Sequence, residues 1–147
     1  LDQNADDVEE DLEDMRGKRI LIVDDNEINM EIEVEVLKEG GFLIDTASDG
    51  SIAVEKVKNS QPGYYDLILM DIQMPVMDGY LATKAIRKLN DPILASIPII
   101  AVSANTFEED RKKSKESGMN AHLPKPLDVA DLFHMIRKYM NEYEQAK

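Results

Sequence analysis

Leu67-Ile68-Leu69-Met70 is a run of apolar residues that stops on Asp71, and Asp78-Gly79 then opens a segment with Ala82, Ile86 and Leu89 at helical spacing. An apolar run without alternation is a strand buried on both faces, as in a parallel sheet covered by helices. Ile20-Leu21-Ile22-Val23 and Ile97-Pro98-Ile99-Ile100-Ala101-Val102 repeat the pattern. Pro98 stands at the start of its run, where a missing N–H does least harm. Phe42 to Ala47 turns polar after Ile44, which suits an edge strand, and Ala121-His122-Leu123 makes a short last strand.

Helix signals fill the intervals. Asp49-Gly50 precedes Ala53, Val54 and Val57. Thr106 followed by Glu109 forms a capping box, with Gly118 as its stop. Asp128 can cap a helix whose Val129, Leu132, Phe133, Ile136 and Met140 form one stripe. The first helix is contested, because Ile32-Glu33-Val34-Glu35-Val36 alternates as a strand does. Ile28, Ile32 and Val36 also fit i, i+4, i+8. Length, a cap at Asn26, a stop at Gly40-Gly41 and the need for a crossover between parallel strands decide for helix. The order is then β-α five times over. It predicts an α/β three-layer sandwich, a five-stranded parallel sheet with five helices and right-handed crossovers.

The chain has 147 residues, 43% hydrophobic and 32% charged, enough for a single core. Cysteine is absent, which removes disulfides, thiolate metal sites and a thiol nucleophile. No apolar run approaches the roughly 18 residues that span a bilayer, and no signal-peptide pattern opens the chain. A cytoplasmic location without membrane contact is the expectation. The net charge of −13 has the wrong sign for direct nucleic-acid binding. Eight acids against Arg16 alone within residues 1–16 hold more than half of it. Residues 1–17 therefore read as an acidic tail or linker, 18–141 as the folded domain and 142–147 as a C-terminal tail. Val8, Leu12 and Met15 at i, i+4, i+7 would allow a short helix under a partner. The Leu1 start suggests a piece of a longer polypeptide.

In an open parallel sheet, ligands bind beyond the carboxyl ends of the strands. After Val23 come Asp24-Asp25, after Met70 comes Asp71, after Val102 comes Ser103, and just past Leu123 comes Lys125. Each alone reads as a cap, a turn residue or a surface lysine; together they gather at one rim. Two carboxylates about 4 Å apart repel by roughly 4 kcal/mol at an effective dielectric near 20. Three in one pocket need a cation to stay ionised. Lys125 offsets one charge, and an oxygen-only site favours Mg²⁺ or Mn²⁺ for the rest. A carboxylate beside a metal and an ammonium can attack phosphorus, and Asp71 on the central strand is the candidate.

Asp24-Asp25, the stretch Met70 to Gly79, Ala101-Val102-Ser103-Ala104 and Lys125-Pro126 together resemble the receiver domains of bacterial two-component response regulators. The resemblance runs in register from about Lys18 to Met140. It implies a flavodoxin-like sheet of order 2-1-3-4-5. It implies that Asp71 accepts a phosphoryl group from a phosphohistidine. Asp25 and the Gln73 main-chain carbonyl would bind Mg²⁺ with Asp71, Asp24 acting through water or from behind. Ser103 would turn toward the phosphoryl group, Lys125 would pair with it, and the Lys125-Pro126 bond would be cis. Small Ala104 would leave the phosphorus open to attack. His122 stands where many members carry a switching Tyr or Phe; it reads equally as a half-buried imidazole. The partners implied are a histidine kinase or histidine phosphotransfer protein and a downstream effector, with the domain a monomer or transient dimer. Its catalysis would be limited to self-phosphorylation and autodephosphorylation. The acidic leader and missing Met favour the receiver of a larger chain, such as a membrane-anchored hybrid histidine kinase, over a single-domain regulator.

The alternative is a phosphohydrolase with an aspartyl nucleophile, of haloacid-dehalogenase type. That chemistry wants a second acid two residues after the nucleophile, where this chain has Gln73. A nucleotide or flavin module would need a Gly- or Ser/Thr-rich loop after the first strand, where Asp24-Asp25 repel phosphate. Arg111, Lys112, Lys113 and Lys115 read as a solvated face or a docking patch for an acidic partner. Tyr64-Tyr65 read as rim packing, and Met70, Met74 and Met77 as core and loop filler.

Overall fold

The computed structural model describes residues 15–104 and 108–146. Five parallel strands, β1 (Arg19–Val23), β2 (Leu43–Ala47), β3 (Leu67–Asp71), β4 (Ile99–Ser103) and β5 (Ala121–Pro124), form one sheet of order β2-β1-β3-β4-β5. The expected order and parallel pairing are therefore present. β1, β3 and β4 are buried on both faces, as their unbroken apolar runs required, whereas β2 is an edge strand with Leu43 exposed.

Among the described residues six helices flank the sheet: α1 (Glu27–Glu39), α2 (Gly50–Lys58), α3 (Gly79–Arg87), α4 (Pro92–Ala95), α5 (Glu108–Ser117) and α6 (Val129–Ala146). The sixth, beyond the five expected, is the single turn α4. Asp91 caps it by accepting hydrogen bonds from the Ile93 and Leu94 N–H groups, and Pro92 sits at its start. Asn26, Asp49, Asp78 and Asp128 each accept a hydrogen bond from a first-turn N–H, so the caps expected at Asn26 and Asp128 are in place and Asp49 and Asp78 cap α2 and α3 as well. Gly118 ends α5 with φ +104°, and the Met119 N–H donates back to the Ser114 carbonyl. The Thr106 cap, and Val8 and Leu12, lie outside the described residues.

Alternate residues of each strand feed two cores. Leu21, Val23, Ile68, Met70, Ile99 and Ala101 face α2 and α3. Ile20, Ile22, Leu67, Leu69, Ile100 and Val102 face α1 and α6, and Met15 is buried in this second core.

One side-chain pattern departs from the sequence reading. The Ile28–Ile32–Val36 stripe that identifies α1 as a helix is not the face it buries: Ile28 is 70% and Ile32 58% exposed. Leu37 and Glu33 go inside instead. Alternating Glu and β-branched residues offer no unambiguous inner face, so packing against β1 and α6 made the choice.

The α3 start is tied to the third strand. A Cβ on Gly79 would strike the Asp71 carbonyl oxygen and lie 2.9 Å from the Ile72 Cα. The Gly79 N–H donates to the Ile72 carbonyl at 2.9 Å. Gly79→Ala is expected to cost about 1–3 kcal/mol, read from urea denaturation, because backbone and not a flexible side chain must give way.

Candidate functional site

The carboxyl ends of β1, β3, β4 and β5 bring the expected residues to one rim. Asp24 follows β1, buried at 2% exposure, with its N–H donating to the Ala47 carbonyl at 3.1 Å. Its Oδ1 accepts a hydrogen bond from the Asn26 N–H at 2.8 Å. Asp25, next in the chain, is exposed. Asp71 closes β3 with 6% exposure, and its Oδ1 accepts a 3.3 Å hydrogen bond from the Gln73 N–H. Lys125 is anchored by its N–H, which donates to the Ser103 carbonyl at 2.9 Å. Its Nζ lies 3.5 Å from Asp71 Oδ2 and 3.6 Å from Asp24 Oδ2. The Lys125-Pro126 bond is cis.

Carboxylate oxygens of Asp24, Asp25 and Asp71 lie within 4.8 Å of one another. Three negative charges face one ammonium there. The imbalance shows in Asp71, whose carboxyl is pushed up to about 6 by burial and by the Asp24 charge, against the pull of Lys125. A hard divalent ion is the natural complement of such an all-oxygen donor set. Two buried acids backed by strand ends and one exposed acid fit it on chemical grounds.

Ser103 ends β4, buried, in register with Pro124. His122, two residues before Pro124, presents Nδ1 to the Ser114 Oγ of α5 at 3.2 Å. It thus lies on the sheet face beside α5. Ala104 is exposed beside Ser103. Arg111, Lys112, Lys113 and Lys115 are exposed on α5, Lys113 with its ammonium 4.7 Å from the Tyr80 ring centre. Tyr65 packs in the core and donates its hydroxyl to Asp45.

One residue at this rim escaped the sequence reading. Glu33 of α1 is 6% exposed and lies against Asp24. Burial foremost, then the Asp24 charge, pushes its carboxyl up to about 8. The available signal was a Glu at i+7 from the Asn26 cap on a helix whose outer face was already charged. Without knowing which face α1 buries, it reads as one more solvated acid.

A doubly wound parallel sheet carrying acids from its first and third strands and a lysine beyond its fifth defines a flavodoxin-like domain with an acid–lysine pocket. Residues 20–137 match the model of the response regulator receiver domain, and the chain belongs to that family. It is 43% identical over 134 residues to hybrid signal transduction histidine kinase B of Dictyostelium discoideum, covering 84% of this chain and 7% of that protein. It is 38% identical over 134 residues to the peroxide stress-activated histidine kinase mak1 of Schizosaccharomyces pombe, covering 89% of this chain and 8% of that protein. The chain thus spans less than a tenth of the length of these relatives. Among solved structures it resembles the receiver domain of a sensor histidine kinase from Pseudomonas aeruginosa with a magnesium ion in its active-site cleft. There the TM-score is 0.76 and the identity 35%, over 85% of this chain and 98% of that one. A CheY-like receiver from Methanospirillum hungatei gives a TM-score of 0.78 at 27% identity, over 89% of this chain and 99% of that one. The likeness to eukaryotic hybrid kinases widens the bacterial family resemblance seen in the motifs.

Proposed function

We propose that this receiver domain is a phosphorylation-operated switch in which Asp71 accepts a phosphoryl group from a phosphohistidine. The observation that carries the reading is the Asp71 carboxylate, 3.5 Å from the Lys125 ammonium and flanked by Asp24 and Asp25. An Asp71 oxygen forms the O–P bond as the donor P–N bond breaks, and the electron pair leaves with the imidazole nitrogen. Lys125 offsets negative charge on the phosphoryl oxygens, and the Ser103 hydroxyl reaches for another. Asp25, Asp71 and the Gln73 main-chain carbonyl would hold Mg²⁺, with Asp24 acting through water. Bound there, the ion would neutralise charge on the transferred group.

The output is conformational. Ser103 drawn toward the phosphoryl group unpacks the neighbouring end of β5, and a rotamer change at His122 breaks its contact with Ser114 of α5. The face made by α5, β5 and α6 then differs between the two states and meets an effector. The names of the relatives support a donor that is a histidine kinase, and that of the Dictyostelium protein supports this domain as one part of a hybrid kinase; the cytoplasm is the compartment proposed for it. The exposed Ile28 and Ile32 of α1, beside the rim, offer the donor domain an apolar surface. We assign no direct role in nucleic-acid or membrane binding, and the domain acts as a monomer or transient dimer.

Incubation with a small acyl phosphate and Mg²⁺ tests this against the hydrolase alternative. The expected result is one phosphoryl group per chain, located by mass spectrometry on the peptide containing Asp71 and dependent on Mg²⁺. Sustained turnover of p-nitrophenyl phosphate would instead favour the hydrolase, which Gln73 at the general-acid position opposes.

A further inference from the structure

Val76 sits badly in its own backbone. Among the described residues it is the one non-glycine with a positive φ, at 67°, a region that a β-branched residue rarely enters. The Met77 N–H donates to the Pro75 carbonyl at 2.7 Å, which closes a three-residue turn around Val76, the strained form of the γ-turn. Glycine or asparagine takes this conformation at less cost. The side chain gains nothing inside the domain. Met74 and Met77 pack against the core under α2 and α3, whereas Val76 between them is 85% exposed. The turn does not relax because both its flanks are pinned. The Gly50 N–H donates to the Met77 carbonyl at 3.1 Å, and the Gly79 N–H to that of Ile72. Strain and an exposed apolar group kept together in this way point to a use outside the domain.

The place of Val76 narrows that use. It stands five residues past Asp71. Leu43 and Tyr64 aside, the large apolar side chains exposed among the described residues are Ile28, Ile32, Ile52, Val76, Leu81 and Val129. All six lie in the loops, or in the first two turns of the helices, that leave the carboxyl edge of the sheet. The acid pocket is therefore ringed by apolar groups, and such a patch marks an interaction surface. Exposed acids stand among them, Asp25, Glu27 and Glu31. A small phosphodonor needs none of these residues. A protein that brings a phosphohistidine to Asp71 must cover them, and it matches them with apolar groups around its histidine and basic groups facing α1. We infer that Val76 is a contact residue for that donor domain, on the face of the sheet opposite Ile28 and Ile32 of α1. The strained turn holds its side chain clear of the core for this contact. The inference rests on the receiver reading above and adds a second edge to the surface that meets the donor.

The test compares the full chain with Val76→Asn, which suits the left-handed turn and removes the apolar group, and with Val76→Ile, which keeps both the strain and the apolar group. Two kinds of phosphodonor are supplied with Mg²⁺: a small acyl phosphate, and a panel of bacterial, fungal and slime-mould histidine phosphotransfer domains charged on histidine with phosphoramidate. Val76→Asn is expected to melt roughly 3 °C higher, because the backbone strain is relieved. Its labelling by the acyl phosphate should stay within about twofold of wild type, while kcat/KM for transfer from the charged domains falls by about tenfold. Val76→Ile should stay within about twofold of wild type with both donors. Transfer from the charged domains to Val76→Asn at the wild-type rate overturns the inference, as does a matching loss in Val76→Ile. An equal loss with both donors overturns it too, since the turn then serves the pocket itself. So does a Tm that stays level or falls in Val76→Asn, since the side chain then holds the domain together. A wild-type chain labelled by the acyl phosphate but by none of the charged domains likewise overturns it, and all these results leave the receiver reading intact. A wild-type chain labelled by neither donor overturns the receiver reading itself.

Discussion

Asp71→Asn is expected to abolish phosphorylation and, in the same protein, to raise stability. The first effect is chemical: an amide oxygen is too weak a nucleophile toward phosphorus to replace the carboxylate. Intact-mass measurement after treatment with a small acyl phosphate and Mg²⁺ should show no phosphorylated species. A variant that takes up phosphate like wild type would place the acceptor elsewhere and end the proposed mechanism. The second effect follows from the charge imbalance. The Asp71 carboxyl ionises at about 6 in the fold against 3.8 ordinarily, so burial and the Asp24 charge oppose its ionised form. Between these values the folded chain keeps a proton that the unfolded chain has lost. Stability without divalent ions therefore falls as pH rises from about 4 to about 6, and the penalty persists above. Removing the charge should recover on the order of 1 kcal/mol near pH 7, allowing for solvent screening of a partly open pocket. For a domain of this size that is a rise of roughly 3 °C in Tm. At pH 4, where the wild-type side chain is largely protonated, the two proteins should nearly coincide. Added Mg²⁺ should narrow the gap at pH 7 by stabilising the wild type.

Lys125→Met separates the roles of charge in the site. The substitution keeps an apolar stem and removes the ammonium that lies 3.5 Å from Asp71 and 3.6 Å from Asp24. Phosphorylation should slow by about 10²-fold, because the group that offsets charge on the phosphoryl oxygens is gone. Mg²⁺ affinity should move the opposite way. The carboxylates lose a competing cation, and a neighbouring unit charge at this range is worth about 4 kcal/mol before relaxation and screening reduce it. Lys125 also pulls the Asp71 and Glu33 carboxyls down. Without it both should rise further, and the metal-free protein should lose stability as pH increases. Calorimetry, phosphorylation kinetics and a pH series of thermal melts read these effects separately. Unchanged phosphorylation, or weaker Mg²⁺ binding, would contradict the assigned role. A general loss of packing weakens both functions together, so opposite signs are the diagnostic.

The site was legible in the chain to the extent that it sits at strand ends. A run buried on both faces announces where it stops, and Asp24, Asp71, Ser103 and Lys125 each stand at or just past a stop. Parallel pairing puts all those stops on one edge, so linear order sufficed to place them in one pocket. The residues that were not legible belong to helices. Glu33 faces inward only because of how α1 turns against the sheet, and a stripe of isoleucines pointed the other way. Arg87 shows the same limit in a structural role. In the chain it is an ordinary cation in the last turn of α3. In the fold it donates to the carbonyls of Ala95, Ile97 and Gly118 and to the Asn120 side chain, fastening α3 to α4 and to the segments around β4 and β5. Its acceptors are carbonyl groups and an amide, whose positions no side-chain pattern encodes.

The linear order of apolar runs, caps and acids determined the layer architecture, the rim and the identity of the charged groups there, because strand burial and helix capping are local and periodic. Tertiary packing decided which face of α1 turned inward, that a fourth carboxyl joined the rim, and that one ammonium is shared by two acids. Those outcomes depend on distances between segments far apart in the chain, where a few ångströms settle whether a side chain meets water or another charge.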